Sequence, residues 1–255
     1  MQTTITTVLF DLHGVLVDPA IVRAQQPAAQ GAFLAERYGG EPAEWVDAYR
    51  AIRADWESYW ADLDLDGEHG IDDLWEGEVR VLRAHFRLTG RPYPPARELE
   101  QLARERRYWV LRRINAAYPD ARPAVIALKR DGFRLGVVSN APLAHCRGLL
   151  EGAGLLGHFD GNIVGCDVVG SFSKGPDTYR FALAQIGSRA EASVVFDDNA
   201  DGVLGARRAG IHAVLIARAG RTDPRPLSEA RRMAAAVLPD LSAAPAYVRT
   251  LNGRR

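Results

Sequence analysis

The sequence predicts an α/β protein, a doubly wound and mostly parallel sheet carrying an inserted helical unit. Three observations predict it. An apolar strand-like run, Ile5–Phe10, stands near the start and is followed from about Ala20 to Ala117 by almost no strand pattern. After Pro119, short apolar runs alternate with helical periodicity. That alternation requires crossover connections, hence parallel strands covered on both faces. Finally, all five tryptophans (Trp45, Trp56, Trp60, Trp75, Trp109) fall in the strandless block, enough apolar area for a small helical unit to hold together.

The elements follow in order. The strandless block is rich in Ala, Glu, Arg and Leu at helical spacing, broken at Gly39-Gly40, Asp66-Gly67 and Pro92–Pro95, so helices are expected at about 20–38, 42–62, 71–88 and 95–117. Phe133–Val138 reads as the second strand, with a helix from about Leu143 to Gly152. Asn162–Val164 is a short third strand, then a helix from about Asp177 to Ile186. Ser193–Phe196 is the fourth, followed by a helix at Ala200–Ala209, and His212–Ile216 the fifth. Ala234–Leu238 is a sixth candidate before a terminal helix near 241–251. The expected division is a core of residues 1–18 and 118–255 with a helical unit at 19–117.

Composition narrows the function. The 255 residues are 47% apolar and 25% charged, and 32 basic residues balance 32 acidic ones. A chain without net charge lacks the electrostatic footprint of a nucleic-acid binder, so none is expected as partner. No run of about 18 apolar residues suggests a membrane span. The N-terminus lacks a basic region ahead of its apolar run, so no leader is expected. Cys146 and Cys166 make neither a metal spacing nor a disulfide framework, which suits a reducing, cytoplasmic setting.

In an open parallel sheet, ligands bind beyond the carboxyl ends of the strands. The first strand is followed by Asp11 and His13, the second by Ser139 and Asn140, the third, within its trailing loop, by Lys174, and the fourth by Asp197 and Asp198. Singly, each has an ordinary explanation as a cap, turn former or solvated loop residue. Together, three carboxylates at one edge repel one another and invite a hard divalent cation such as Mg²⁺. A lysine and a hydroxyl beside them suit a phosphate dianion.

At these residues the chain resembles the haloacid dehalogenase-like superfamily of aspartyl-nucleophile hydrolases. It is most similar to the branch with a helical cap after the first strand, such as β-phosphoglucomutase-like phosphatases. The motifs are FDLHGVLVD, LGVVSN, the lysine of SKGPD before TYRFALAQIG, and VVFDDNADGVLGARRAGI, in the family's order from end to end of the chain. The resemblance implies that Asp11 attacks phosphorus and becomes an aspartyl-phosphate. It implies Mg²⁺ held by Asp11, the backbone carbonyl of His13, and Asp198, with Asp197 adjacent or ligating. It implies Ser139, the backbone N–H beside it, and Lys174 as holders of the phosphoryl oxygens, with Asn140 at the substrate side. The expected substrate is a small-molecule phosphate ester, and the expected assembly a monomer or homodimer.

Two departures matter. The family's phosphatases usually carry a second aspartate two residues after the nucleophile, as proton donor to the leaving alcohol; here that position is His13. Three readings follow: His13 does the acid–base work, with a reference pKa near 6.5 suited to it; leaving-group protonation is dispensable and the substrate is activated; or turnover is lost and a silent phosphate-binding or regulatory protein remains. A metal-independent dehalogenase is a further alternative, opposed by the retained pair Asp197-Asp198. Secondly, only Gly175 separates Lys174 from Pro176, where the family's motif has two residues. In the cap, Tyr49, Arg50, Arg53, Trp56, Tyr59 and Trp60 are the expected specificity residues.

Overall fold

A computed structural model describes residues 4–220 and 228–253. The first strand, β1 (Thr7–Phe10), is buried along its length. Four helices follow before the next strand: α1 (Pro19–Tyr38), α2 (Pro42–Ala54), α3 (Gly70–Leu88) and α4 (Ala96–Leu111). The chain then alternates through α5 (Ala121–Arg130), β2 (Arg134–Val138), α6 (Leu143–Gly152), β3 (Ile163–Val164), α7 (Cys166–Val169), α8 (Pro176–Ile186), β4 (Ser193–Asp197), α9 (Ala200–Arg208), β5 (His212–Ile216), α10 (Ser228–Met233), β6 (Ala236–Leu238) and α11 (Ala244–Leu251). The six strands are parallel in the order β3-β2-β1-β4-β5-β6, a doubly wound sheet as the alternation predicts.

Both faces of the sheet are covered, which explains the near-continuous apolar strands. Val8, Phe10, Leu135, Val137, Val194 and Phe196 pack on one side with residues of α5, α6 and α11. Leu9, Val138, Val195, Ala213 and Leu215 pack on the other with α8 and α9. The inserted helices have their own apolar cluster, in which Phe33, Leu34, Trp45, Leu82, Phe86, Leu102 and Val110 meet. Of the tryptophans, Trp45 is fully buried there, Trp75 packs instead against Cys166 of the sheet-bearing part, and Trp109 is exposed.

Three expected helices differ from the observed ones. The helix expected over 42–62 ends at Ala54, and a 3-10 turn at Trp56–Tyr59 replaces its second half. Ser58 Oγ donates to the Asp55 carbonyl (2.9 Å) and carboxylate (2.7 Å), local bonds that compete with continued helix. The helix expected to 117 stops at Leu111, and the terminal helix begins at Ala244. The short α7 and α10 are too brief to show periodicity. No described helix is long and apolar enough to cross a membrane.

Candidate active site

Register brings the acids together. Phe10 of β1 pairs with Phe196 of β4, so Asp11 and Asp197 leave the sheet side by side, at the point where the winding reverses. Phe10 also pairs with Val137, which sets Ser139 just beyond on the opposite flank. One oxygen from each of Asp11, Asp197 and Asp198 lies within 4.8 Å of the others, close enough to share one hard cation.

Lys174 lies between two of these acids. Its Nζ stands 2.6 Å from Asp11 Oδ1 and 2.8 Å from Asp197 Oδ2, and the side chain is buried. The shortened motif therefore still delivers the lysine. Burial opposes its charge, but the two carboxylates outweigh this and hold the ammonium above the ordinary lysine range. Asp197 is fully buried; Tyr179 donates to its Oδ2 (3.1 Å) and the Asn199 N–H to its Oδ1 (2.9 Å). Burial, offset in part by Lys174 and reinforced by Asp11, holds this carboxyl above the usual range. Such a site gains from a further positive charge.

The helix after β4 makes room for this. A Cβ on Gly202 would stand 2.1 Å from Asp197 Oδ2, and one on Gly205 would stand 1.9 Å from the Lys174 carbonyl oxygen. The two glycines, three residues apart on α9, form one bare face against which the acid and the lysine loop settle.

The loop after β1 is a tight turn. Gly14 has a φ of +79°, which L side chains rarely adopt, and its N–H donates to the Val17 carbonyl (2.8 Å). Arg218 braces the turn from beyond β5. It donates to the carbonyls of Gly14 (2.9 Å) and Val15 (2.8 Å), pairs with both oxygens of Asp120, and lies 3.6 Å over the Tyr118 ring.

His13 projects from the same turn. Its Nε2 lies 2.8 Å from Nε2 of His145 on α6, and His145 Nδ1 lies 3.1 Å from Arg107 on α4. Arg107 and Arg106 both hold the buried carboxylate of Glu78 on α3. Arg106 also donates to Gln30 Oε1 (3.1 Å), whose amide meets His85 Nε2 (2.6 Å). A polar chain thus runs from the turn after β1 into the inserted helices. Burial, then the neighbouring His13 and Arg107, hold the His145 imidazole well below its usual range.

The expected residues separate as follows. Asp11, Lys174, Asp197 and Asp198 converge. Ser139 is buried beside them; its N–H is committed to the Val164 carbonyl (3.0 Å) and its Oγ accepts from the Ala141 N–H (3.2 Å). Asn140 is exposed at the same edge. In the inserted helices, Arg50 pairs with Asp47 at the surface and Arg53 stacks on Trp56, whereas Trp60 reaches the cluster containing Trp75 and Cys166. Both cysteines are buried and free, the Cys166 thiol pushed up to about 12 by burial. Arg218, Tyr179, His145, Arg107 and Glu78 escaped the sequence reading. Arg218 alone carries a signal, for it follows β5 where the strand-end rule looks for site residues.

Known proteins resemble the chain in both sequence and fold. A family profile described as haloacid dehalogenase-like hydrolase matches residues 5–210. A phosphoserine phosphatase of Thermus thermophilus is 32% identical over 187 residues, covering 70% of each chain. Several other curated phosphatases are matched over less than half their own length. Among solved structures, a 2-haloacid dehalogenase of Pseudomonas syringae superposes with a TM-score of 0.59 at 24% identity, covering 97% of this chain and 99% of that one. A protein of Thermotoga maritima assigned as a β-phosphoglucomutase gives a TM-score of 0.57 at 21% identity, covering 96% and 99%. At these identities the structural matches speak for the fold.

Proposed function

The chain belongs to the haloacid dehalogenase-like hydrolases, and from that premise we propose that it is a Mg²⁺-dependent phosphohydrolase working through an aspartyl-phosphate on Asp11. The carrying observation is the convergence of Asp11, Asp197 and Asp198 around a buried Lys174. Haloacid hydrolysis without a metal would leave the acid cluster that Asp198 completes without a task, and the relatives matched in sequence are named phosphatases.

In this reading Asp11, held 2.6 Å from Lys174, attacks phosphorus. Lys174 and Ser139 receive the phosphoryl oxygens, with Asn140 at the substrate side. Bound Mg²⁺ would supply charge neutralisation between nucleophile and phosphate. The residues that fit it are Asp11, Asp198 and the His13 carbonyl. Both oxygens of Asp197 are already engaged by Lys174, Tyr179 and the Asn199 N–H, so Asp197 serves to hold the lysine. Residues 19–117 act as the cap that excludes water, over a core of 1–18 and 118–255. His13 meets the leaving group.

The test is a Mg²⁺-dependent screen of p-nitrophenyl phosphate and a phosphate-ester panel, with chloroacetate as the dehalogenase control. Hydrolysis of phosphates that needs Mg²⁺ and disappears in Asp11→Asn supports the reading. Halide release without metal, or full activity in Asp11→Asn, overturns it.

A further inference from the structure

We propose that Arg107, acting through His145, holds His13 with its Nε2 as an acceptor and its hydrogen on Nδ1, so that the site favours phosphates whose leaving groups depart without a proton. The substrate class rests on the phosphohydrolase reading; the arrangement of the rings does not.

A guanidinium has donors only. At 3.1 Å from Arg107, His145 Nδ1 must therefore be the acceptor, and the hydrogen of His145 stands on Nε2. That nitrogen lies 2.8 Å from His13 Nε2, and such a contact needs one donor and one acceptor. His13 Nε2 is then the acceptor, and its own hydrogen stands on Nδ1.

The packing makes this arrangement stiff. Gly148 and Gly152 on α6 let α4 approach so closely that a Cβ on them would stand 2.8 Å from the Tyr108 carbonyl oxygen and 2.2 Å from the Ile114 one. His145 lies one turn before Gly148 on the same helix, facing Arg107. Glu78, itself buried, anchors Arg107 from behind and is in turn held by Arg106. Arg107 is thus a positioning residue whose direction is set by the inserted helices.

The chemical consequence concerns the first half-reaction. An Asp11 carboxylate oxygen forms the new O–P bond as the old P–O bond breaks, and the bonding pair leaves with the departing oxygen. With Nε2 occupied by His145 and Nδ1 buried within the protein, His13 has no proton to give that oxygen. The oxygen departs as an oxyanion. Aryl phosphates, acyl phosphates and phosphoanhydrides meet that condition; simple alkyl esters do not.

Two measurements on the full-length protein test this. In ¹⁵N-resolved imidazole spectra, His13 is expected to show a bare Nε2 and a protonated Nδ1, a pattern lost in Arg107→Ala. Wild-type protein with the hydrogen on His13 Nε2 overturns the proposal whatever the variant does. In kinetics with Mg²⁺, alkyl phosphates are expected to lag aryl phosphates by at least the factor of about 10²–10⁴ that general acid catalysis ordinarily supplies. Equal rates overturn the substrate class. If neither class is hydrolysed, the phosphohydrolase reading fails and takes the substrate class with it, while the spectra still decide the role of Arg107.

Discussion

Gly205 lies directly against the carbonyl of Lys174: a methyl group on its Cα would sit 1.9 Å from that oxygen. The lysine that bridges Asp11 and Asp197 is therefore placed by the absence of a side chain on the neighbouring helix. Gly205→Ala should push the Lys174 backbone away, lower activity at least tenfold and destabilise the fold by about 1–3 kcal/mol through overpacking. Gly157→Ala is the control, since nothing lies within 4 Å of its added Cβ. Assays beside thermal melts would check the pair; equal behaviour of the two variants would remove the argument.

Metal dependence should divide the two acids of the fourth motif. Asp198→Asn should raise the Mg²⁺ concentration for half-maximal activity by tenfold or more. Asp197→Asn should instead lower activity at saturating Mg²⁺, because Lys174 loses a charged partner at 2.8 Å. Mg²⁺ titrations of both variants measure this, and a reversed pattern would exchange their roles.

Glu78 is the buried junction of the polar chain, with two guanidinium groups on one carboxylate. Glu78→Gln should cost about 3–5 kcal/mol in chemical denaturation, because it leaves buried charge uncompensated. The exposed pair of Arg50 and Asp47 sets the scale at the other end: Asp47→Asn should stay within about 1 kcal/mol.

His85 should shape the acid limb of stability. Burial, then Arg106, pushes its imidazole down to about 3. An unfolded chain takes up that proton below about pH 6.5. The unfolded state thus binds more protons between those values, and stability falls as pH falls. The slope from this residue approaches about 1.4 kcal/mol per pH unit. His85→Leu should flatten the loss between pH 6 and 4, whatever its stability at pH 7. An unchanged slope in denaturation curves across that range would show that His85 does not titrate so.

Strand-end residues were legible because the sheet obeys a rule visible in one dimension. Each apolar run ends where Asp11, Ser139 and Asp197 begin, and parallel register then aligns those ends. The boundaries of the inserted helices were less legible. Helical periodicity continues past Ala54 and Leu111, while the break after Ala54 coincides with local side-chain bonds from Ser58 to Asp55. The expected specificity residues of that insert are aromatic or basic, yet most pack with one another or face solvent. The insert residue that reaches the site through His145 is Arg107, one among many arginines and without a local mark.

The linear order of residues carried the α/β architecture, the insertion after the first strand and the identity of the acids and lysine, because short-range periodicity and chain direction suffice for all of these. Folding alone assigned His13 its partner and Asp197 its hold on Lys174. Those relationships join residues 132 and 23 positions apart. They depend on glycine faces that let α4 meet α6 and α9 meet the lysine loop, and close packing of that kind leaves no periodic trace along a chain.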